Sequence, residues 1–337
     1  MKKVYISNLS EGDKVEDFFM IKNTDTKTDK NGNYYLDMVV GDNTGEMICR
    51  KFRASPEEIE MISVGDIFRI KGIVKEYNSN KNLNAIAMEA AMDNDKINMY
   101  DYVSAAPVKP EEMLEIIKGY IKKISNKEIK NLVIEIYKIH KEKLMYYPAA
   151  KSNHHSIKSG LLYHMLRMLQ SAEALGAVYQ NVNMDLMYAG IMLHDICKIE
   201  EMESNNLGIV SDYTMEGKLL GHIIMGIKLI EKTAVEMGID PEISIMLEHM
   251  ILSHHYYADF GSPKKPMFLE AELLHYIDMI DARVYDFENA SENIKPGEFS
   301  DKIWVLDNRN VYNSTFDKNT RTMSRETENK QEQLKLE

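Results

Sequence analysis

Residues 189–198 read Ala189-Gly190-Ile191-Met192-Leu193-His194-Asp195-Ile196-Cys197-Lys198. An apolar run passes directly into an imidazole and a carboxylate, and a lysine follows three residues later. Leu186, Ala189, Gly190 and Leu193 recur at helical spacing, which puts His194 and Asp195 at the end of an amphipathic helix beside its apolar face. A histidine or carboxylate turned toward a core is costly unless it is paired or bound to metal. Outward from this pair, His164 lies 30 residues before His194 and His222 lies 28 residues after it. His254-His255 begins 32 residues beyond His222, and Asp278 follows His255 by 23. The flanking positions also ride on apolar faces: Ile157, Leu161, His164, Met165 and Met168 share one, and Ile243, Met246, Leu247, Met250 and His254 another. A lone histidine of this kind is ordinarily a hydrogen-bonded core residue. A series from consecutive helices can converge inside one bundle and hold metal. Mixed imidazole and carboxylate donors suit Mn²⁺, Fe²⁺, Co²⁺, Ni²⁺ or Zn²⁺ rather than Ca²⁺. Cys197 has no neighbouring thiolate, which argues against a structural zinc knuckle.

The helical period holds from Glu111 to about residue 290, so this region is expected to be all-α. The first 95 residues differ. Val4 to Ile6, Phe18 to Ile21, Tyr34 to Val40, Met47 to Phe52, Ile67 to Val74 and Leu83 to Met88 are short β-rich runs, separated by turn signals such as Asn31-Gly32-Asn33 and Val64-Gly65-Asp66. One helical piece, Pro56 to Ile62, sits between the fourth and fifth runs. That order suits a small closed barrel of OB type, with a generic small sandwich as the alternative. Ala105-Ala106-Pro107 and Lys109-Pro110 break any regular element and mark a linker. The expected organisation is a barrel over 1–95, a linker over 96–112, a helical domain over 113–314 and a polar tail over 315–337. The fold class expected is multidomain α+β, an OB-like β-barrel followed by an all-α helical bundle.

The chain has 337 residues, 44% hydrophobic and 28% charged, which excludes fibrous and wholly disordered classes. No run approaches the roughly 18 apolar residues of a membrane helix, and Met1 to Ser7 lacks the apolar core of a signal peptide. Two cysteines, Cys49 and Cys197, supply no disulfide framework, so a reducing cytoplasm is the expected compartment. A net charge of −12 excludes a general polyanion binder. Any nucleic acid must therefore meet a local basic patch or metal ions.

The order His … His-Asp … His … His-His … Asp resembles the HD-domain superfamily of metal-dependent phosphohydrolases, and the extra His222 and His254-His255 resemble its dinuclear subset. The resemblance implies a first ion held by His164, His194, Asp195 and Asp278. It implies a second ion held by His222, His254 and His255, with Asp195 bridging. Asp281 competes with Asp278 for the last acid. Asp278 is preferred because it precedes Met279-Ile280-Asp281-Ala282 as the ligand does in related Asp-x-x-Asp-Ala stretches. Two ions about 3.5–4 Å apart polarise a phosphoryl group and activate a water. Lys198 resembles the lysine of His-Asp-x-x-Lys motifs, which contacts substrate phosphate, the alternative being a solvated surface lysine. Cys197 stands where that motif usually has glycine.

A narrower likeness rests on Pro148-Ala149-Ala150-Lys151-Ser152-Asn153-His154-His155, Gly160-Leu161-Leu162-Tyr163-His164, Phe260-Gly261-Ser262-Pro263-Lys264 and Leu306-Asp307-Asn308-Arg309. With the N-terminal barrel, these segments resemble the YhaM-type 3′→5′ exoribonuclease family over residues 4–314. The resemblance implies metal-dependent release of nucleoside monophosphates from the 3′ end of single-stranded RNA, with single-stranded DNA as a second substrate and Mn²⁺ as the favoured ion. It makes Asp195, Lys198 and His155 candidate catalytic groups, with His154 beside them, and gives Arg309 a weaker claim. Whether the chain forms a homo-oligomer stays open. An OB barrel binds single strands through a basic groove with aromatic platforms. Arg50, Lys51, Phe52 and Arg53 form one mixed run, and Tyr34, Tyr35, Tyr77 and Lys81 are further candidates. The barrel segment carries 13 basic and 17 acidic residues, so its binding must be local and salt-sensitive. Two other functions compete: a phosphodiesterase of small nucleotides, and a non-catalytic single-strand-binding protein. Tyr256 to Pro263 lacks the Gly-Tyr-Pro segment of the cyclic-dinucleotide subset, which counts against that version of the first.

Overall fold

Five strands close a barrel in the computed structural model, which describes residues 2–77, 80–151, 155–292 and 294–316. They are β1 (Lys14–Thr28), β2 (Tyr34–Asp42), β3 (Gly45–Phe52), β4 (Ile67–Tyr77) and β5 (Asn80–Ala90), hydrogen-bonded around the barrel in the order β1-β2-β3-β5-β4. β3 and β5 run parallel and the other pairs antiparallel. One short helix, α1 (Pro56–Glu60), fills the β3–β4 connection. This is the OB arrangement. Alternation fills its interior: Val15, Phe19 and Ile21 from β1, Leu36, Met38 and Val40 from β2, Met47 and Cys49 from β3, and Phe68, Ile70, Val74 and Leu83 from β4 and β5 are all buried. Ser55 caps α1 through a reciprocal bond with Glu58, and Pro56 at the first helical position needs no donor.

The run Val4 to Ile6 is not a strand. The Lys3 and Val4 amides donate to Asp17 Oδ2 at 2.6 Å each, and the Ile6 amide donates to Asp42 Oδ2 at 2.9 Å. Side-chain acceptors thus take the donors a ladder would have used, and a 3-10 turn follows over Ile6–Asn8.

Helices dominate beyond residue 109. They are α2 (Pro110–Lys123), α3 (Lys127–Leu144), α4 (Gly160–Val178), α5 (Met184–Leu193), α6 (Lys198–Glu201), α7 (Met215–Met237), α8 (Pro241–Ser253) and α9 (Leu269–Glu292). Their starts are readable in capping residues: Asn126, Asn183, Thr214 and Asp240 each accept from the first-turn amides. The buried faces of α2 to α5, α7 and α8 meet in one core that includes Ile117, Leu132, Ile136, Leu161, Met165, Ile191, Leu247 and Met250. The helical region is not wholly α. Between α6 and α7 a hairpin pairs β6 (Met202–Ser204) with β7 (Val210–Tyr213), turning through Gly208 at φ 77°.

The chain forms two compact units, Met1–Ile277 and Asp278–Glu337, with α9 beginning in the first and ending in the second. Within the first unit the stretch expected as a linker is packed: Phe18 and Met20 of the barrel cluster with Tyr102 and Val103, and Leu207 and Ile209 of the hairpin turn lie against them. Lys22 Nζ donates to the Tyr102 carbonyl at 3.0 Å. In the second unit Arg283 donates to the Val305 carbonyl at 2.7 Å and pairs with Asp307, which Arg309 also meets at 3.2 Å. Of the expected polar tail, residues 317–337 lie outside the described residues. Among the described residues no helix is long and apolar enough to cross a membrane.

Candidate metal centre

Five imidazoles and a carboxylate converge where α4, α5, α7 and α8 meet. His164 lies in the second turn of α4, His194 caps the C-terminus of α5 with Asp195 next to it, and His254 caps the C-terminus of α8 with His255 following. His222 needs a special backbone. Gly221 interrupts α7 at φ 71°, ψ 162°, a conformation open to glycine alone, and the chain re-enters the helix with His222 turned inward.

The two carboxylate oxygens of Asp195 face different histidines. Oδ2 lies 3.3 Å from His194 Nε2 and 3.9 Å from His164 Nε2. Oδ1 lies 3.4 Å from His222 Nε2 and 3.9 Å from His254 Nε2. Candidate donor atoms of His164, His194 and Asp195 all fall within 4.8 Å of one another, and so do those of His222, His254 and His255. These clusters hold the histidines and Asp195 of the two expected ligand groups, without Asp278.

The opposite ring nitrogens are tied down. Nδ1 of His194 lies 2.8 Å from the Ile191 carbonyl, Nδ1 of His254 2.7 Å from that of Ile251, and Nδ1 of His255 2.6 Å from that of Phe260. His222 Nδ1 meets the Glu201 carboxylate at 3.1 Å. A carbonyl or carboxylate can only accept, so each Nδ1 carries the proton and each Nε2 keeps a lone pair for the centre. His194 Nε2, His222 Nε2 and Asp195 Oδ1 are buried without a hydrogen-bond partner. Buried lone pairs left this way are costly, and a divalent cation satisfies them together. The donor set therefore fits the metal chemistry expected of it. Burial alone would raise the Asp195 pKa, but Lys198, His194 and His222 hold it well below the usual carboxylate range, so it is an anion throughout the working pH. Lys198 Nζ lies 2.7 Å from Asp195 Oδ2 and its side chain is largely buried, so it is not a solvated surface lysine.

His155 adjoins the histidine group. His155 is wholly buried at φ 54°, its ring 5.3 Å from that of His164 and 5.5 Å from Tyr163. His154 lies outside the described residues. On α9, Asp278 is half-buried while Asp281 is 4% exposed. The sequence reading preferred Asp278 with Asp281 as the competing acid, and both belong to the second unit. Arg309 is engaged within the second unit by Asp307 and the Leu306 carbonyl.

On the barrel, Phe52 stacks on its cross-strand neighbour Tyr35 at 5.3 Å, half-exposed, with Tyr34 and Arg53 also exposed. Arg50 Nε donates to Asp37 Oδ1 at 2.9 Å. Lys51 is drawn to Glu58 at 3.3 Å, and Lys81 donates to the Leu9 carbonyl at 2.7 Å. The expected basic run is thus partly consumed by contacts within the barrel. The side chain of Tyr77 lies outside the described residues. Tyr35, one of the expected aromatic candidates, meets Phe52 through the β2–β3 register, whereas sequence reasoning missed Glu201, 21 residues from His222 with no motif linking the two.

The HD domain family matches residues 161–283, the stretch that holds His164, His194, Asp195, His222, His254 and His255. A divalent-metal phosphohydrolase centre is what that family and this donor set share. The 3′-5′ exoribonuclease YhaM of Halalkalibacterium halodurans is 39% identical over 305 residues, covering 90% of this chain and 94% of that protein. Its namesake from Geobacillus sp. is 38% identical over 305 residues, covering 90% and 93%. That of Bacillus subtilis is 35% identical over 307 residues, covering 91% and 97%. With the closed barrel ahead of the HD bundle, likeness of this depth along nearly the whole length places the chain in the YhaM family of 3′-5′ exoribonucleases.

Proposed function

We propose that this protein removes nucleotides one at a time from the 3′ end of single-stranded RNA, with single-stranded DNA as a second substrate, at a two-ion centre on Asp195. The observation that carries this reading is the split environment of Asp195, whose two oxygens face separate histidine groups 3.3–3.9 Å away. His164 and His194 would serve one ion, His222, His254 and His255 the other, and Asp195 both. Mn²⁺ is the ion the family resemblance implies, and this mix of imidazole and carboxylate donors also suits Fe²⁺, Co²⁺, Ni²⁺ or Zn²⁺. When bound, divalent ions supply Lewis acidity toward a phosphoryl oxygen and a more acidic water.

The protein's own groups do the rest. Asp195, held ionised, would offset cationic charge from both histidine groups. The anchored Nδ1 atoms fix the imidazole rings, so no reorganisation is needed as charge develops. Lys198 is the cation nearest the bridging carboxylate and is the proposed contact for the scissile phosphate. His155, packed against the His164 ring, supports that ligand rather than reaching solvent. The Tyr35–Phe52 stack with Tyr34, Arg50 and Arg53 forms the proposed platform for bases upstream of the 3′ end. Both cysteines are buried and free, which supports a reducing cytoplasm. Exposed Met279, Ile280 and Trp304 supply apolar surface that supports self-association.

The test uses metal-stripped protein, 5′-labelled single-stranded RNA and Mn²⁺ added back. A ladder shortening from the 3′ end, absent without metal and absent in His194→Ala, is the expected result. Intact RNA together with hydrolysis of bis-p-nitrophenyl phosphate would refute the exonuclease and point to small phosphodiesters.

A further inference from the structure

Glu201 takes no part in the expected ligand groups, yet it grips His222 twice. Its Oε1 accepts from the His222 backbone N–H at 3.0 Å and lies 3.1 Å from Nδ1, while Oε2 lies 3.2 Å from the same nitrogen. The first contact exists because Gly221 breaks α7. A helical His222 would give that N–H to the carbonyl four residues back. The break releases it, and Glu201 takes it.

The surrounding backbone holds the two elements in this register. Thr214 N donates to the Glu201 carbonyl at 2.9 Å, and its hydroxyl donates to the Glu200 carbonyl at 2.8 Å. The same hydroxyl caps α7, accepting from the Gly217 amide at 2.9 Å. The end of α6 and the start of α7 are therefore one stapled unit. The Glu201 carboxylate thus lies on the Nδ1 side of the ring, with Asp195 Oδ1 on the Nε2 side at 3.4 Å.

We propose that Glu201 is a positioning residue that fixes the tautomer and orientation of His222, and thereby sets occupancy of the ion held by His222, His254 and His255. This rests on the two-ion reading above. Glu201 reaches the centre only through His222. His194, His254 and His255 set Nδ1 against the neutral backbone carbonyls of Ile191, Ile251 and Phe260, whereas His222 sets it against a carboxylate. A carboxylate behind a metal-binding imidazole raises its basicity, and loss of such a partner typically weakens metal binding about 10–100-fold. The second ion should therefore be the one lost when Glu201 is changed, while the ion served by His164 and His194 stays.

The experiment is calorimetric titration of Mn²⁺ into metal-stripped full-length protein, wild type against Glu201→Gln and Glu201→Ala. Circular dichroism melts monitor folding. Wild type should take up two equivalents. Glu201→Ala should keep the first at unchanged affinity and weaken the second about 10–100-fold. Glu201→Gln keeps an oxygen that accepts from both donors but loses the charge, so its second equivalent should weaken by less. If Glu201→Ala fails to fold, Glu201→Gln carries the test, since its second equivalent must weaken and its first must not. At saturating RNA and limiting Mn²⁺, kcat should fall with little change in KM. A second equivalent bound as in wild type by both variants would overturn the proposal, as would equal loss of both equivalents. Wild type that binds one equivalent or none would overturn the two-ion reading itself, and the proposal with it.

Discussion

Gly217→Ala is the substitution for which the structure gives the sharpest number. Gly217 is the third residue of α7, and a Cβ built there would sit 2.2 Å from the Glu201 carbonyl oxygen and 2.9 Å from its carbon. Ordinary contact begins near 3.4 Å, so α6 and α7 must part by about 1.2 Å. The obstacle is backbone and cannot rotate away. The separation would strain the Thr214 bonds to Glu200 and Glu201 and move His222, five residues along, relative to Asp195. Overpacking of this kind costs about 1–3 kcal/mol. At roughly 2–4 °C per kcal/mol, a fall of about 2–12 °C in the melting midpoint is expected. Gly119→Ala is the matched control. Gly119 lies inside α2, where a Cβ meets nothing within 4 Å, so alanine should stabilise by about 0.5–1 kcal/mol through helix propensity. The assay is thermal unfolding followed by circular dichroism at 222 nm, with Mn²⁺ titration on the folded protein. If Gly217→Ala melts at or above wild type and binds both ions, the close approach of α6 and α7 does not matter as claimed. If Gly119→Ala melts lower, the steric bookkeeping itself is wrong.

His194→Ala and Asp195→Ala should each abolish hydrolysis of RNA while leaving its binding in a gel-shift measurement; retention of near wild-type turnover in chelator-treated buffer would remove the centre from the chemistry. Phe52→Ala removes one stacking face, worth about 1–3 kcal/mol per base, so Kd for single-stranded RNA should rise roughly 5–150-fold; unchanged affinity would move the platform elsewhere on the barrel. His140 provides a pH test away from the metal. Burial opposes its charge, but Glu200 at 2.8 Å and the Ile136 carbonyl at 2.7 Å hold its pKa above 6.5. A raised pKa means the pair's stabilisation is complete below about pH 6.5 and is lost as pH rises through the folded value. Denaturant unfolding should accordingly show wild type losing stability relative to Glu200→Gln between pH 6 and pH 8; parallel curves would refute the pairing.

Much of the candidate centre was legible because its residues sit on, or just past the end of, helices whose apolar faces are periodic. His164, His194 and His254 point inward for the same reason as the leucines beside them, and chain order carried the rest. The last acid was harder. Asp278 and Asp281 stand three residues apart, about 60° on a helical wheel, and periodicity alone does not separate neighbours that close. The barrel was legible from short alternating runs, except at Val4 to Ile6, where Asp17 and Asp42 supply acceptors that no local pattern announces. The β6–β7 hairpin escaped because strands of three and four residues carry no period. Lys51 and Lys81 read as basic surface until the fold brought Glu58 and the Leu9 carbonyl to them.

Helix α6 shows why such contacts matter more than its four residues suggest. It starts directly after the His194-Asp195 turn, so any side chain it projects is placed relative to the bridging carboxylate by covalent geometry. Lys198 turns back to Asp195, Glu200 reaches His140 on α3, and Glu201 reaches His222 on α7. Successive helical residues diverge by about 100°, so one turn can address three neighbours at once. A longer helix would add further side chains but no closer coupling to Asp195. Two of these contacts meet the centre at Asp195, one directly and one through His222, while the third ties the same turn to the α3 core. Substitutions at Lys198 and Glu201 should therefore couple, because both act on the charge and position of one shared carboxylate. Glu200, which faces away from it, should add independently to either.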